Sequence, residues 1–131
     1  MTKWNYSHFT VLQQPHGPAT DCFEIVQGGE VRMIITPMDH DAQLDIVQIL
    51  NSGSHPAHWQ TGERITVEFL LPLYIGKEDG FYITRQPIGQ GGAQYTIRNQ
   101  KGRLLKQKYQ TIAEVYEEIQ KRLAPEGSRK P

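Results

Sequence analysis

Two stretches of the chain, 72 residues apart, carry the same punctuation. Phe9 answers Phe81, Gln14-Pro15 answers Gln86-Pro87, Gly17 answers Gly89, Phe23 answers Tyr95 and Ile25 answers Ile97, with no gap. In each stretch, alternating segments flank a loop that holds proline or glycine. Proline fixes φ and glycine admits turn conformations, so the loop interrupts the chain while the period of two on either side makes strands. The spacing predicts a β-β-β-α unit written twice, over residues 8–51 and 81–123, about a pseudo-twofold axis. Chance recurrence of a few apolar positions is the competing explanation.

In the first unit, residues 8–12 alternate and residues 22–27 form a second strand. Gly28-Gly29 is a tight hairpin signal, and residues 31–36 return as a third strand. Pro37 ends that strand. Asp39 can cap a helix over 40–51, with Ser52-Gly53 as its stop. Leu44, Val47 and Leu50 give that helix an apolar face, although the β-branched residues in 43–49 also fit a strand. Residues 1–7 read as a short arm carrying Trp4 and Tyr6. Between the units, residues 63–75 read as one long strand, with Ile65, Val67, Phe69 and Leu71 on one face and Pro72 at an edge or bulge.

The second unit has strands at 81–86, around Tyr95 and Ile97, and at 103–108. Phe81, Ile83 and Arg85 share one face, and Tyr82, Thr84 and Gln86 the other. Thr111 and Glu114 have the spacing of a capping box. Ile112, Val115, Tyr116, Ile119 and Leu123 then repeat at helical spacing. Pro125 stops that helix, and residues 125–131 read as a flexible polar tail. The expected fold is α+β: a single domain over 1–131, with an antiparallel sheet of about seven strands and two helices packed on one face.

Charge divides the chain where the repeat does. Residues 1–76 carry three basic and eight acidic side chains, and residues 77–131 carry eleven basic and six acidic, so a neutral chain has an acidic half and a basic half. An anion-binding C-terminal face, mutual attraction of the halves and head-to-tail assembly of copies all fit this pattern. Mean hydropathy is −0.56 and no long apolar run occurs, so no membrane partner is expected. A single cysteine, Cys22, excludes an internal disulfide, and a reducing cytoplasm is the expected setting.

No nucleophile elbow, Walker loop or paired-cysteine metal motif is present, and no cofactor is expected. His55 and His58 have a spacing that two zinc ligands can use, with Asp39 or Asp41 as a third. Loop histidines beside proline are more often solvated, so no metal site is assigned. His40, between Asp39 and Asp41, has the surroundings of a tuned base, but such a cluster more often caps a helix. The reading leans away from an enzyme. The 87–92 loop is the stronger candidate, because Gly89, Gly91 and Gly92 lack Cβ atoms and let backbone N–H groups approach an anion. Arg85, Arg98 and Arg103 on the flanking strands, and Lys101 in the next turn, supply positive charge. Tyr82 supplies a stacking surface. These eight residues form the expected ligand site. A plain hairpin connection is the alternative for the glycines, and cross-strand packing for the tyrosine.

The aromatic strands of 81–123, the turn from Gln100 to Arg103 and the Thr-x-x-Glu that opens the last helix resemble two families: the arm-type DNA-binding domains of phage integrases, and the AP2-like fold. The resemblance covers about a third of the chain and implies that the sheet face lies against nucleic acid. The acidic first unit departs from it. Two functions follow as expectations. One is a non-enzymatic binding protein for a phosphate-bearing ligand, nucleic acid or nucleotide. The other is a phage- or bacterial-type interaction module that sequesters a host protein or signal, using its strand edges and Trp4, Tyr6 and Trp59 to dock or to assemble as a homo-oligomer.

Overall fold

The computed structural model describes residues 2–123. The expected tail and its proline stop lie outside the described residues. Strand β1 (Lys3–Asn5) precedes the first unit, which contains β2 (Thr10–Pro15), β3 (Asp21–Gln27), β4 (Glu30–Pro37) and helix α1 (His40–Asn51). A connecting stretch holds a 3-10 turn, Pro56–His58, and strands β5 (Ile65–Phe69) and β6 (Leu73–Glu78). The second unit contains β7 (Phe81–Pro87), β8 (Ala93–Arg98) and helix α2 (Ile112–Leu123). The α+β class is as expected. The single sheet is corrected to two antiparallel sheets, β1-β2-β3-β4-β5 and β6-β7-β8.

The 72-residue echo extends to register. In the first unit Thr10 pairs with Val26, Val11 with Ile25, Gln13 with Phe23 and Pro15 with Asp21. In the second Tyr82 pairs with Arg98, Ile83 with Ile97, Arg85 with Tyr95 and Pro87 with Ala93. Each pair is the other shifted by 72, and the bounds of α1 and α2 are shifted by the same amount. The units differ at their third strand. Instead of the expected strand over 103–108, only isolated bridges form, Arg98 with Leu104 and Tyr95 with Tyr109. Four residues lie between the bridges on one side and two on the other, so the segment between the bridges bulges. Lys106-Gln107-Lys108 supplies no apolar side chain to hold it down, and all three are exposed.

The expected long strand over 63–75 is two strands in different sheets. Leu70 and Leu71 both donate their N–H groups to the carbonyl of Arg32, and Pro72 has no N–H to continue a ladder. The chain changes sheet there. The arm at the N-terminus is strand β1: Trp4 packs on Phe23, and its Nε1 donates to Asn51 Oδ1 at 2.8 Å.

One hydrophobic core serves both units. Val11, Phe23, Ile25, Met33 and Ile35 come from the first sheet, Ile83, Tyr95 and Ile97 from the second, and Ile46, Leu50, Val115 and Ile119 from the helices. Strand alternation puts the sheet members on one face, so both helices bury their apolar stripes in the same place. Asp39 caps α1, its Oδ1 accepting from Ala42 N at 2.9 Å. The capping box of α2 forms as read: Glu114 N donates to Thr111 Oγ1 at 3.2 Å, and Thr111 N donates to Glu114 Oε1 at 2.9 Å.

Candidate functional site

Strand alternation sends Arg85 inward, on the same face as Phe81 and Ile83. Its side chain is 4% exposed. The guanidinium lies 4.5 Å from the ring centroid of Phe69 and 5.3 Å from that of Tyr95, between a ring of each sheet. Its two hydrogen bonds among the described residues both leave from Nη1, to the carbonyls of Ala57 and Trp59. Nε is buried and has no partner among the described residues. Among the described residues, no carboxylate lies within salt-bridge distance: the ion pairs there are Arg32–Glu30, Arg64–Asp45 and Arg122–Glu118. Burial pushes the Arg85 pKa below its ordinary value, with Tyr95 acting weakly the other way.

Arg85 lines a cavity of about 270 Å³ that it shares with Gly91, Gly92, Ala93, Phe69 and Gln60. The loop above it is closed by Ile88 N donating to Gly92 O at 3.0 Å. Gly91 sits at φ +81°, in the left-handed region that disfavours other residues. Three of the eight expected residues, Arg85, Gly91 and Gly92, therefore meet at one cavity.

The other five do not join them. Gly89 is exposed and begins the 3-10 turn of the loop. Tyr82 and Arg98 pair with each other five residues from the loop, on the order of 17 Å along the strands. Tyr82 is half-buried, with Lys77 Nζ 5.3 Å from its ring centroid. Arg98 is exposed and its Nη1 donates to Gly102 O at 2.9 Å. Lys101 and Arg103 are exposed in the same distal turn, where their backbone N–H groups both donate to Asn99 Oδ1. The reason is strand parity and length. Arg85 and Arg98 are on different strands with opposite exposure, and their ladder positions lie three residues apart, on the order of 10 Å along the strands.

Behind Arg85 lies a group that strand patterns did not reveal. Tyr95 Oη is 2.8 Å from His58 Nδ1, and the His58 ring stacks on His55 at 5.3 Å between centroids. Burial, then His55, then Arg85 lower the His58 pKa to about 4, so it is neutral at pH 7. The stacked rings do not converge on a common point. Among the described residues, no three His, Cys, Asp or Glu side chains are placed to hold a metal ion. The only sequence signal for this group was the loop position of His55 and His58 beside Trp59. Their contact with β8 depends on tertiary packing.

An arginine and glycine backbone line the cavity, but no acid or base does. It contains no His, Asp, Glu, Ser or Cys side chain. Its one hydroxyl, Thr61 Oγ1, is taken by the backbone of Val67, accepting from its N–H at 2.9 Å. No family model, curated protein or solved structure matches the chain. Among the described residues, no helix is long and apolar enough to cross a membrane.

Proposed function

We propose that this is a small non-enzymatic binding protein for a phosphate-bearing molecule of nucleotide size or smaller, held in the cavity that Arg85 shares with Gly91 and Gly92. The observation that carries this reading is a buried guanidinium without a carboxylate. Desolvating a cation costs several kcal/mol. Two carbonyls and two ring faces offset part of that, and an anionic ligand would offset the rest. Arginine and a glycine-rich loop are also the donor types suited to phosphate. The absence of an acid, base or free nucleophile from the lining favours binding over turnover.

The cavity size favours a small ligand over a polymer. The exposed cations that would track a nucleic-acid backbone, Arg98, Lys101 and Arg103, stand at the opposite end of the hairpin. The interaction module is less well supported, since Trp4 packs within the protein and Tyr6 Oη donates to Ser54 O at 2.7 Å. The reading places the protein in a reducing, cytoplasmic setting, with its one thiol, Cys22, buried.

Native mass spectrometry of protein taken directly from cells tests this. A retained phosphorylated molecule on the natural protein, absent from Arg85→Met, is the expected result. Retention of the same molecule by Arg85→Met would place its site elsewhere. Binding of single-stranded nucleic acid that is lost in an Arg98/Lys101/Arg103 variant and kept in Arg85→Met would replace this reading with a polymer interface.

A further inference from the structure

The two units share register pair for pair, so each residue that β7 and β8 bring to the Arg85 cavity has a counterpart 72 positions earlier. The counterpart of Arg85 is Gln13 and that of Ala93 is Asp21. The two loops are also of equal length. In the first unit the place is filled from within: Gln13 Nε2 donates to Asp21 Oδ2 at 2.9 Å. Asp21 lies two residues before Phe23, the partner of Gln13, so the two side chains meet diagonally on one face of the ladder. Gln43 of α1 closes the arrangement, its Nε2 donating to Asp21 Oδ2 at 3.4 Å and its Oε1 accepting from Asp21 N at 2.9 Å. In the second unit the carboxylate is replaced by the methyl group of Ala93, and Gln43 by the buried apolar Val115. The residue that faces this place is now a cation, Arg85.

We infer that the ligand of the second unit supplies the group that Asp21 supplies in the first: a terminal oxyanion, bonded to the rest of its molecule at one point, entering beside Ala93. This rests on the pocket reading above and narrows its ligand class. Terminal phosphates and carboxylates qualify, since each presents its oxygens from a single attachment, as an aspartate side chain does. A phosphodiester within a chain does not, because it leaves the phosphorus in two directions, whereas the Asp21 carboxylate has a single attachment. The first unit, already filled and lacking an arginine at position 13, takes no such ligand.

Two experiments on the full-length protein test this. In the first, Ala93→Asp restores an internal carboxylate diagonal to Arg85. Its melting temperature should rise by roughly 3 °C or more, and its affinity for inorganic phosphate should fall by about tenfold or more. Ala93→Asn, of the same shape without the charge, should not raise the melting temperature. An unchanged or lower melting temperature for Ala93→Asp, with phosphate affinity retained, overturns the inference. The second needs no variant: acetate, methyl phosphate and dimethyl phosphate are titrated against the natural protein while the Gly92 amide and Arg85 Nε–H resonances are followed. Acetate and methyl phosphate should shift them and dimethyl phosphate should not; equal shifts from all three overturn the terminal-group requirement. If none of the anions nor inorganic phosphate binds, the pocket reading falls with it. If inorganic phosphate binds and the discrimination fails, only the inference falls.

Discussion

Replacing Arg85 by methionine separates a cation held for a ligand from one held for structure. Methionine keeps a long flexible chain between the Phe69 and Tyr95 rings and removes the charge. Two losses follow. The Ala57 and Trp59 carbonyls lose their shared donor, which costs about 1–3 kcal/mol, most of it at the buried Ala57, and the cation–π contacts vanish, about 1 kcal/mol. One gain opposes them: a desolvated charge with no carboxylate beside it, and with an unpartnered Nε, is removed, which returns several kcal/mol. The opposing changes are of similar size, so stability should move by no more than about 1 kcal/mol, or about 3 °C in melting temperature for a chain of this length. Phosphate-dependent stabilisation should disappear altogether. For the natural protein it should reach about 2.7 kcal/mol at one hundred times the dissociation constant. Urea unfolding with and without phosphate reads both quantities. A loss beyond roughly 3 kcal/mol in Arg85→Met without phosphate would refute the reasoning, because it would mean that the hydrogen bonds outweigh the buried charge. Arg85 would then be a strut tying the 57–59 segment to the second sheet.

Two further outcomes follow from the same geometry. His58 has a folded pKa near 4, below the unfolded value of about 6.5, so the unfolded chain takes up its proton first as pH falls. The stability from keeping His58 neutral is therefore complete above about pH 6.5 and is lost on descending to about pH 4; allowing for its partial exposure, the loss is about 1–2 kcal/mol. Unfolding midpoints of the natural protein and His58→Gln across that range should converge or cross by this amount, and parallel curves would contradict it. Substituting Arg98, Lys101 and Arg103 together by alanine should leave phosphate affinity within about twofold, since the distal turn lies beyond a Debye length of roughly 8 Å in physiological salt. A calorimetric loss of more than about tenfold would mean that the distal cations belong to the site after all.

Local chemistry made much of the fold legible. The cap at Asp39 and the Thr111–Glu114 box marked the starts of both helices, because those signals act within a single turn. Gly28-Gly29, both at positive φ, marked the β3–β4 hairpin. The alternation Phe81, Ile83, Arg85 already placed the arginine on the core-facing side, and the glycines marked the loop beside it. What failed was non-local. Alternation through Phe69 and Leu71 continues past the point where the chain changes sheets, since a period of two says nothing about which neighbour a strand has. The segment 103–108 has a strand's length but too little apolar content between its bridges to stay in a ladder. The site was over-collected for the same reason: proximity in sequence put Arg98, Lys101 and Arg103 near the loop, while a hairpin carries them to its far end. Phe69 and Ala57 were missed, and His58 was read only as a possible zinc ligand, because all three reach Arg85 or Tyr95 only through packing of the connecting stretch against the second sheet.

The central claim is that the buried Arg85 guanidinium accepts an anion. The most direct measurement is the Arg85 Nε–H resonance in nitrogen-15 labelled protein titrated with inorganic phosphate. The claim expects a saturable downfield shift, shared by the Gly91 and Gly92 amides and absent from Arg98. A resonance that stays fixed to saturating phosphate, or that moves no more than Arg98 does, would contradict it.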